Sequence, residues 1–280
     1  MTAPFTTRFA PSPTGLLHRG HAFSALTAHD AARAAGGRFL LRIEDIDATR
    51  CRPAFETAIY EDLAWLGLAW EQPVRRQSEH LAIYQAAIGR LAERGLLYRC
   101  FRTRKEIAEA IASAPHGALD SWRGAPLPSD QEARRLAAGE SFAWRLRLDA
   151  ALTQAGPLTF VEQGAGPNGE TGVITARPEL GGDVVLARRD VGVAYHLAVT
   201  LDDALQGVTH VIRGQDLFEA THVQRLLQAL LELPTPVYRH HPLLTGPDGK
   251  RYAKRDHAET LAELRVACVT PRRLRTEMGL

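Results

Sequence analysis

The sequence predicts an α/β fold, a parallel sheet flanked by helices and interrupted by an inserted α+β subdomain. Three observations carry this. Residues 5–43 read strand, helix, strand, and two strands joined through a helix lie parallel with a right-handed crossover. Alternation of strand and helix returns from residue 183 onward. Between them, about residues 101–182, the pattern loses that order.

The elements follow in turn. FTTRFA (5–10) is a short strand broken by PSPTG, which packs two prolines, a Ser, a Thr and a Gly into five positions. A helix is predicted from about Gly20 to Ala35, stopped by Gly36-Gly37. RFLLRI (38–43) is the second strand. Pro53 suits the first turn of a helix running to about Leu66. Ser78 is expected to cap the next, with Leu81, Tyr84, Ile88 and Leu91 on one face and Gly95 closing it. LLYRCF (96–101) is a buried strand candidate.

Within the inserted segment, Thr103 with Glu106 and Ser129 with Glu132 have capping-box spacing. SFAWRLRLD (141–149) alternates, setting Phe142, Trp144, Leu146 and Leu148 against Arg145 and Arg147. Residues 163–182 read as a loop rich in Gly and Pro. After it come DVVLARRD, VAYHLAVTLDDAL, GVTHVIRG and DLFEATHVQRLLQALL, the last an amphipathic helix ended by Pro234. PVYRHHPLLT leads into GPDGKRYAKRD, a loop, then a short helix near 259–267 and a basic tail. The expected division is 1–100 with 183–245 as the main body, 101–182 as the insert, and 246–280 as a loop with a short helical tail.

Composition narrows the class. With 280 residues, 45% of them hydrophobic, the chain can bury a full core, and nothing suggests disorder. The net charge of +2 gives no global sign of nucleic-acid binding, so a basic face would be local. The three cysteines, Cys51, Cys100 and Cys268, are far apart and odd in number, which argues against a disulfide framework. MTAPFTTRFAPSPTG lacks an apolar signal region, and no apolar run reaches membrane-spanning length. A soluble, cytoplasmic protein without membrane contact is expected.

Two segments carry chemistry. Ser12-Pro13-Thr14-Gly15-Leu16-Leu17-His18-Arg19-Gly20-His21 lies between a strand and a helix. A helix start offers free N–H groups and a positive dipole end, a setting that suits phosphate. Gly20 allows close backbone approach, and His18 and His21 can donate to phosphate oxygens as charge develops. A loop that merely contains two histidines is the bland alternative, and the placement behind PSPTG argues against it. The second segment is Lys250-Arg251-Tyr252-Ala253-Lys254-Arg255. A charge run is usually a solvated turn. Here, however, the chain uses 31 arginines and only three lysines, Lys105, Lys250 and Lys254, and two of the three fall in this loop. A compact ammonium on a flexible stem does what guanidinium cannot when it must follow a moving phosphate.

Taken together, these segments resemble the two signatures of class I aminoacyl-tRNA synthetases in their glutamate-specific form. RFAPSPTGLLHRGHA is similar to the first, and KRYAKR to the KMSKS loop. RIEDID (42–47), AYHLAVTLDD (194–203) and VIRGQDL (211–217) resemble further segments in the same order, so the likeness covers about residues 5–105 and 183–260. It implies a Rossmann-like catalytic domain. There the glutamate α-carboxylate attacks the α-phosphate of ATP, with Mg, to give glutamyl-adenylate and pyrophosphate. By position it implies a glutamate pocket of Arg8, Ala10, Ser12, Glu44, Tyr195 and Arg213, and ATP contacts from His18, Gly20, His21 and Lys254. The chemistry is apt: arginine suits a carboxylate through paired hydrogen bonds, and Glu44 suits an ammonium. A buried Arg–Glu pair can also be purely structural.

Departures from the pattern refine the expectation. Full-length glutamyl-tRNA synthetases have an Asn where Val199 stands. Only about 25 residues follow the KMSKS-like loop, too few for an anticodon-binding domain. This resembles the short paralogues, the glutamyl-queuosine tRNA(Asp) synthetases. They activate glutamate without tRNA and attach it to queuosine at the wobble position of tRNA(Asp). Members of that group often carry zinc in the insert, beginning with a CxC. Here the segment reads Cys100-Phe101-Arg102, and Cys100 with His116 does not complete a tetrahedral site, so no structural zinc is expected. Two other readings stay open: a glutamyl-tRNA synthetase charging tRNA(Glu), and a catalytically inactive tRNA-binding paralogue. The insert, with Arg145 and Arg147, is a candidate tRNA face, although exposed strand arginines are commonly just solvated. The sequence does not give the oligomeric state; a monomer is expected.

Overall fold

The computed structural model describes residues 3–112, 122–188, 192–244 and 259–280. Strand β1 (Thr6–Phe9), helix α1 (Arg19–Ala34) and strand β2 (Arg38–Ile43) form the expected crossover unit. β1 and β2 are parallel, Thr6 to Phe9 facing Arg38 to Leu41. Helix α2 (Pro53–Trp65) opens on its proline, and the short β3 (Arg75–Arg76) adds in parallel to β2.

Ser78 does not cap a helix. Asp45 claims it first, accepting from its backbone N–H at 2.9 Å and from its hydroxyl at 2.6 Å. A 3-10 turn therefore spans Gln77–His80, and α3 runs Leu81–Glu93. Strand β4 (Leu97–Cys100) follows, then α4 (Arg104–Ala112), whose Thr103–Glu106 box forms as read. Ser129 lies inside α5 (Ser129–Ala137) rather than ahead of it, and Glu132 turns away to Arg99.

The 141–149 run divides in two. β5 is only Ala143–Leu146, and α6 spans Leu148–Ala155. Leu148 leaves the strand because its N–H reaches the buried Asp183 carboxylate at 3.2 Å, at the start of the helix. Arg145 and Arg147 each donate to a backbone carbonyl, those of Asp183 and Gly95. β5 lies antiparallel between β4 and β8 (Val185–Arg188).

The stretch 163–182 is not all loop. β6 (Thr159–Glu162) and β7 (Gly172–Thr175) form a hairpin, and β6 joins the main sheet alongside β10 (Val237–His241). Helix α7 (Tyr195–Leu205), β9 (His210–Gly214) and α8 (Phe218–Leu230) precede β10, which runs parallel to β9. Thr209 N–H donates to the Thr6 carbonyl at 2.9 Å, so β9 abuts β1, and the parallel sheet of β1, β2 and β3 meets there the mixed sheet of β7, β6, β10 and β9.

The basic tail is helical. α9 (Leu261–Val266) is capped by Thr260 and Glu263, and α10 (Pro271–Glu277) by Thr270 with proline in its first turn. Leu261, Leu264 and Leu274 sit in one core with α1, β2 and α2. A second core gathers α3, α6, α7 and α8. Among the described residues, no helix is long and apolar enough to cross a membrane.

Candidate active site

Open parallel sheets bind ligands beyond the carboxyl ends of their strands. Arg8 and Ala10 at the end of β1, Glu44 past β2, Arg213 in β9 and His241 closing β10 all line one cavity of about 300 Å³. The start of α1 forms another wall.

That wall is built by two histidines that cap each other's helix turn. His18 is the extended N-cap of α1, and its Nδ1 accepts from the Gly20 N–H at 3.1 Å. The His18 N–H donates to Nδ1 of His21 at 3.2 Å, and the rings lie 3.9 Å apart. A ring nitrogen that accepts cannot carry a proton. Each neutral imidazole therefore bears its hydrogen on Nε2, a donor at the positive end of a helix. Glycine is required between them for a reason beyond nucleotide access. A Cβ on Gly20 would stand 3.1 Å from Cε1 and 3.2 Å from Nδ1 of His18. The C-terminal segment clamps this turn: Leu261 N–H donates to Leu17 O, and Arg19 pairs with Glu277 and Glu259.

Opposite lies a buried charge network. Arg8 grips Asp203 with two hydrogen bonds, at 3.0 and 3.3 Å. Arg42, fully buried, donates to the same carboxylate at 2.7 Å and to Glu44 Oε1 at 3.1 Å. Burial alone would raise the Asp203 carboxyl, but Arg8 and Arg42 outweigh it and hold the group below its usual range. For Glu44, burial wins over Arg42 and pushes the carboxyl up. A cation arriving beside Glu44 would restore its charge, so the residue is suited to bind an ammonium.

Arg213 is held differently. Its Nη2 donates to Leu217 O, Thr221 Oγ1 and Gln224 Oε1, and its Nε to His240 Nε2 at 3.2 Å. Its Nη1 makes a long contact of 3.4 Å to the Tyr195 hydroxyl. All five acceptors are neutral. Arg8 already has a carboxylate; Arg213 offers its charge to whatever anion enters.

The cavity thus brings together Arg8, Ala10, His18, Gly20, His21, Glu44, Tyr195 and Arg213, with Val199 beside them. Ser12 is exposed and does not line it. Lys250, Lys254 and His116 lie outside the described residues. Sequence reading passed over Arg42 and Asp203, although both fall in segments it singled out, RIEDID and AYHLAVTLDD. It also passed over Ser24 and His241, which line the cavity and share a 2.9 Å hydrogen bond. No sequence signal marked that pair. Among the described residues no group of three His, Cys, Asp or Glu side chains is placed to hold a metal, and Cys100 is buried against Tyr98 and Ile107.

Comparison with known proteins gives the family. Residues 4–268 match the family model for tRNA synthetases class I (E and Q), catalytic domain. A Glutamyl-Q tRNA(Asp) synthetase of Rhodobacter capsulatus is 50% identical over 98% of this chain and 99% of its own length. One from Symbiobacterium thermophilum is 43% identical over 94% of this chain and 82% of its own. A glutamate tRNA ligase of Elizabethkingia meningosepticum, solved in complex with its amino acid, superposes with a TM-score of 0.75 at 28% identity. The match covers 90% of this chain and 52% of the ligase, so the chain spans about half the length of that enzyme. The chain belongs to the class I tRNA synthetases (E and Q), and is a ligase of the aminoacyl-tRNA synthetase type.

Proposed function

We propose that the chain activates L-glutamate with ATP, without tRNA, and transfers it to queuosine at the wobble position of tRNA(Asp). The observation that carries the activation step is the cavity's polarity. Arg213 presents a cation held only by neutral acceptors, while His18 and His21 present Nε2 donors from the start of α1. The names of the relatives and the near-complete match in length to one of them support the same reading.

In this account Arg213 and Tyr195 receive the side-chain carboxylate and Glu44 the ammonium. An α-carboxylate oxygen forms a bond to the α-phosphorus of ATP as the bond to the bridging oxygen breaks and pyrophosphate leaves. His18 and His21 donate to phosphate oxygens where negative charge grows, and Lys254 neutralises the departing phosphates. A Mg ion would arrive with ATP on its phosphate oxygens, since the donors at the α1 wall are ring nitrogens, which suit a hard cation poorly. Residues 1–100 with 183–245 serve as the catalytic body and 101–182 as the inserted acceptor-type subdomain. Residues 246–280 supply the KMSKS-like loop and C-terminal tail. The setting is the cytoplasm.

The test supplies labelled glutamate and ATP with tRNA(Asp) that carries or lacks queuosine and, in a parallel arm, with tRNA(Glu). Label is expected on the queuosine-bearing tRNA alone, resistant to removal of the 3′ terminal nucleotide. Label on the 3′ end of tRNA(Glu) would replace this reading with the charging one.

A further inference from the structure

Behind Arg213, away from the cavity, stands a pair that the mechanism above does not use. His240 and Glu162 both have side chains with no solvent exposure. Glu162 Oε2 lies 2.6 Å from His240 Nδ1, and its Oε1 accepts from the His240 and Gly164 N–H groups, each at 2.8 Å. Burial would raise this carboxyl, but the hydrogen bonds from His240 and Gly164 keep it low, so it is an anion. The imidazole must then donate from Nδ1 to Glu162 and accept on Nε2 from Arg213. Phe218 packs edge-on to the ring, and Tyr238 lies parallel to it.

We propose that Glu162 and His240 are positioning residues that fix the guanidinium plane of Arg213 for its substrate carboxylate. The inference rests on the reading of Arg213 given above. Its physical basis is the contrast with Arg8. A carboxylate placed directly on an arginine neutralises it, as Asp203 does to Arg8, and would compete with an incoming anion. A neutral imidazole between Glu162 and Arg213 holds the plane through Nε and leaves the positive charge for the ligand. Arginine gains over lysine by paired, planar bonding, and that gain depends on the plane being fixed. Glu162 comes from β6, inside the 101–182 insert, while His240 and Arg213 come from β10 and β9. The insert therefore reaches the amino-acid site through one carboxylate. The approach is close: a Cβ on Gly164 would stand 2.1 Å from the His240 carbonyl oxygen.

Pyrophosphate exchange on the full chain tests this with separate KM values for glutamate and ATP. In Glu162→Gln, the amide N–H donates to Nδ1 and drives the ring's proton to Nε2, where it opposes the Nε–H of Arg213. A glutamate KM about tenfold higher is expected, the loss typical of one misaligned charge-assisted hydrogen bond, with kcat and the ATP KM little changed. His240→Leu is expected to raise the glutamate KM similarly, and His240→Gln, whose amide oxygen can replace Nε2 as acceptor, to recover most of it. A lowered melting temperature with an unchanged glutamate KM would reduce the pair to a structural role and overturn the proposal. If Glu162→Gln yields no folded protein, the two His240 variants decide it: equal glutamate KM values overturn it, and a higher value for Leu than for Gln upholds it. Absence of glutamate-dependent exchange in the parent would instead fault the functional reading.

Discussion

His18 and His21 illustrate how a residue can serve structure and chemistry through its two ring nitrogens. Nδ1 of each is occupied in the helix cap, which leaves the ring proton on Nε2, and both residues line the cavity. Gly20 is what lets the His18 ring fold back, so Gly20→Ala separates stability from rate. Alanine is favoured over glycine within a helix by roughly 0.5–1 kcal/mol, and the displaced His18 ring gives up a cap worth about 0.5–2 kcal/mol, so urea unfolding should show a loss of no more than about 1.5 kcal/mol. The displaced His18 ring should slow single-turnover adenylate formation by about tenfold. A variant as fast as the parent would detach the ring's position from the chemistry. Lys254→Arg, by the logic of a compact ammonium tracking phosphate, should slow the same step about tenfold to a hundredfold, with Lys250→Arg much milder. Silence at Lys254, or a larger effect at Lys250, would shift the register assigned to that loop.

At the scale of elements, strands and helices with clear periodicity were legible, and local competition decided what was not. β2 and the proline-started α2 fall where the pattern places them. Ser78 and Leu148 do not, because Asp45 and Asp183 reach them from 33 and 35 residues away, a distance no local pattern reports. Sequence reading placed one short helix near 259–267 ahead of a basic tail; that tail holds a second helix, started by Thr270-Pro271, and buries Leu274. This docking has a pH signature. Asp62 of α2 faces Arg265 of α9 at 3.1 Å, but neither carboxylate oxygen accepts a well-formed hydrogen bond. Burial dominates and pushes the carboxyl from 3.8 to about 6. The native state then holds this proton to higher pH than the unfolded chain, so its contribution to stability falls as pH rises from roughly 4 to 6. Asp62→Asn should flatten that part of the stability profile, measured by urea midpoints across the window. A parent whose stability rose there through Asp62 would mean that Arg265, not burial, governs the group.

Over the whole molecule, two sheets meet at β1 and β9, and the cavity lies at the carboxyl ends of their parallel strands. Most of that site was legible because its residues sit in short, ordered segments. Asp203, Glu162 and His240 were harder to find, since their meaning depends on partners 78 to 195 residues distant. The resulting electrostatics set the selectivity. With Arg8 matched by Asp203, Arg213 is the cation awaiting a carboxylate, and a neutral amide in its place would leave that charge buried without a partner. Such mismatches are heavily penalised. Pyrophosphate exchange without any tRNA, comparing glutamate with glutamine and aspartate, measures this directly. Exchange should require glutamate and be weaker by at least about a hundredfold with glutamine. Equal exchange with glutamine, or none with glutamate until tRNA is added, would contradict the account.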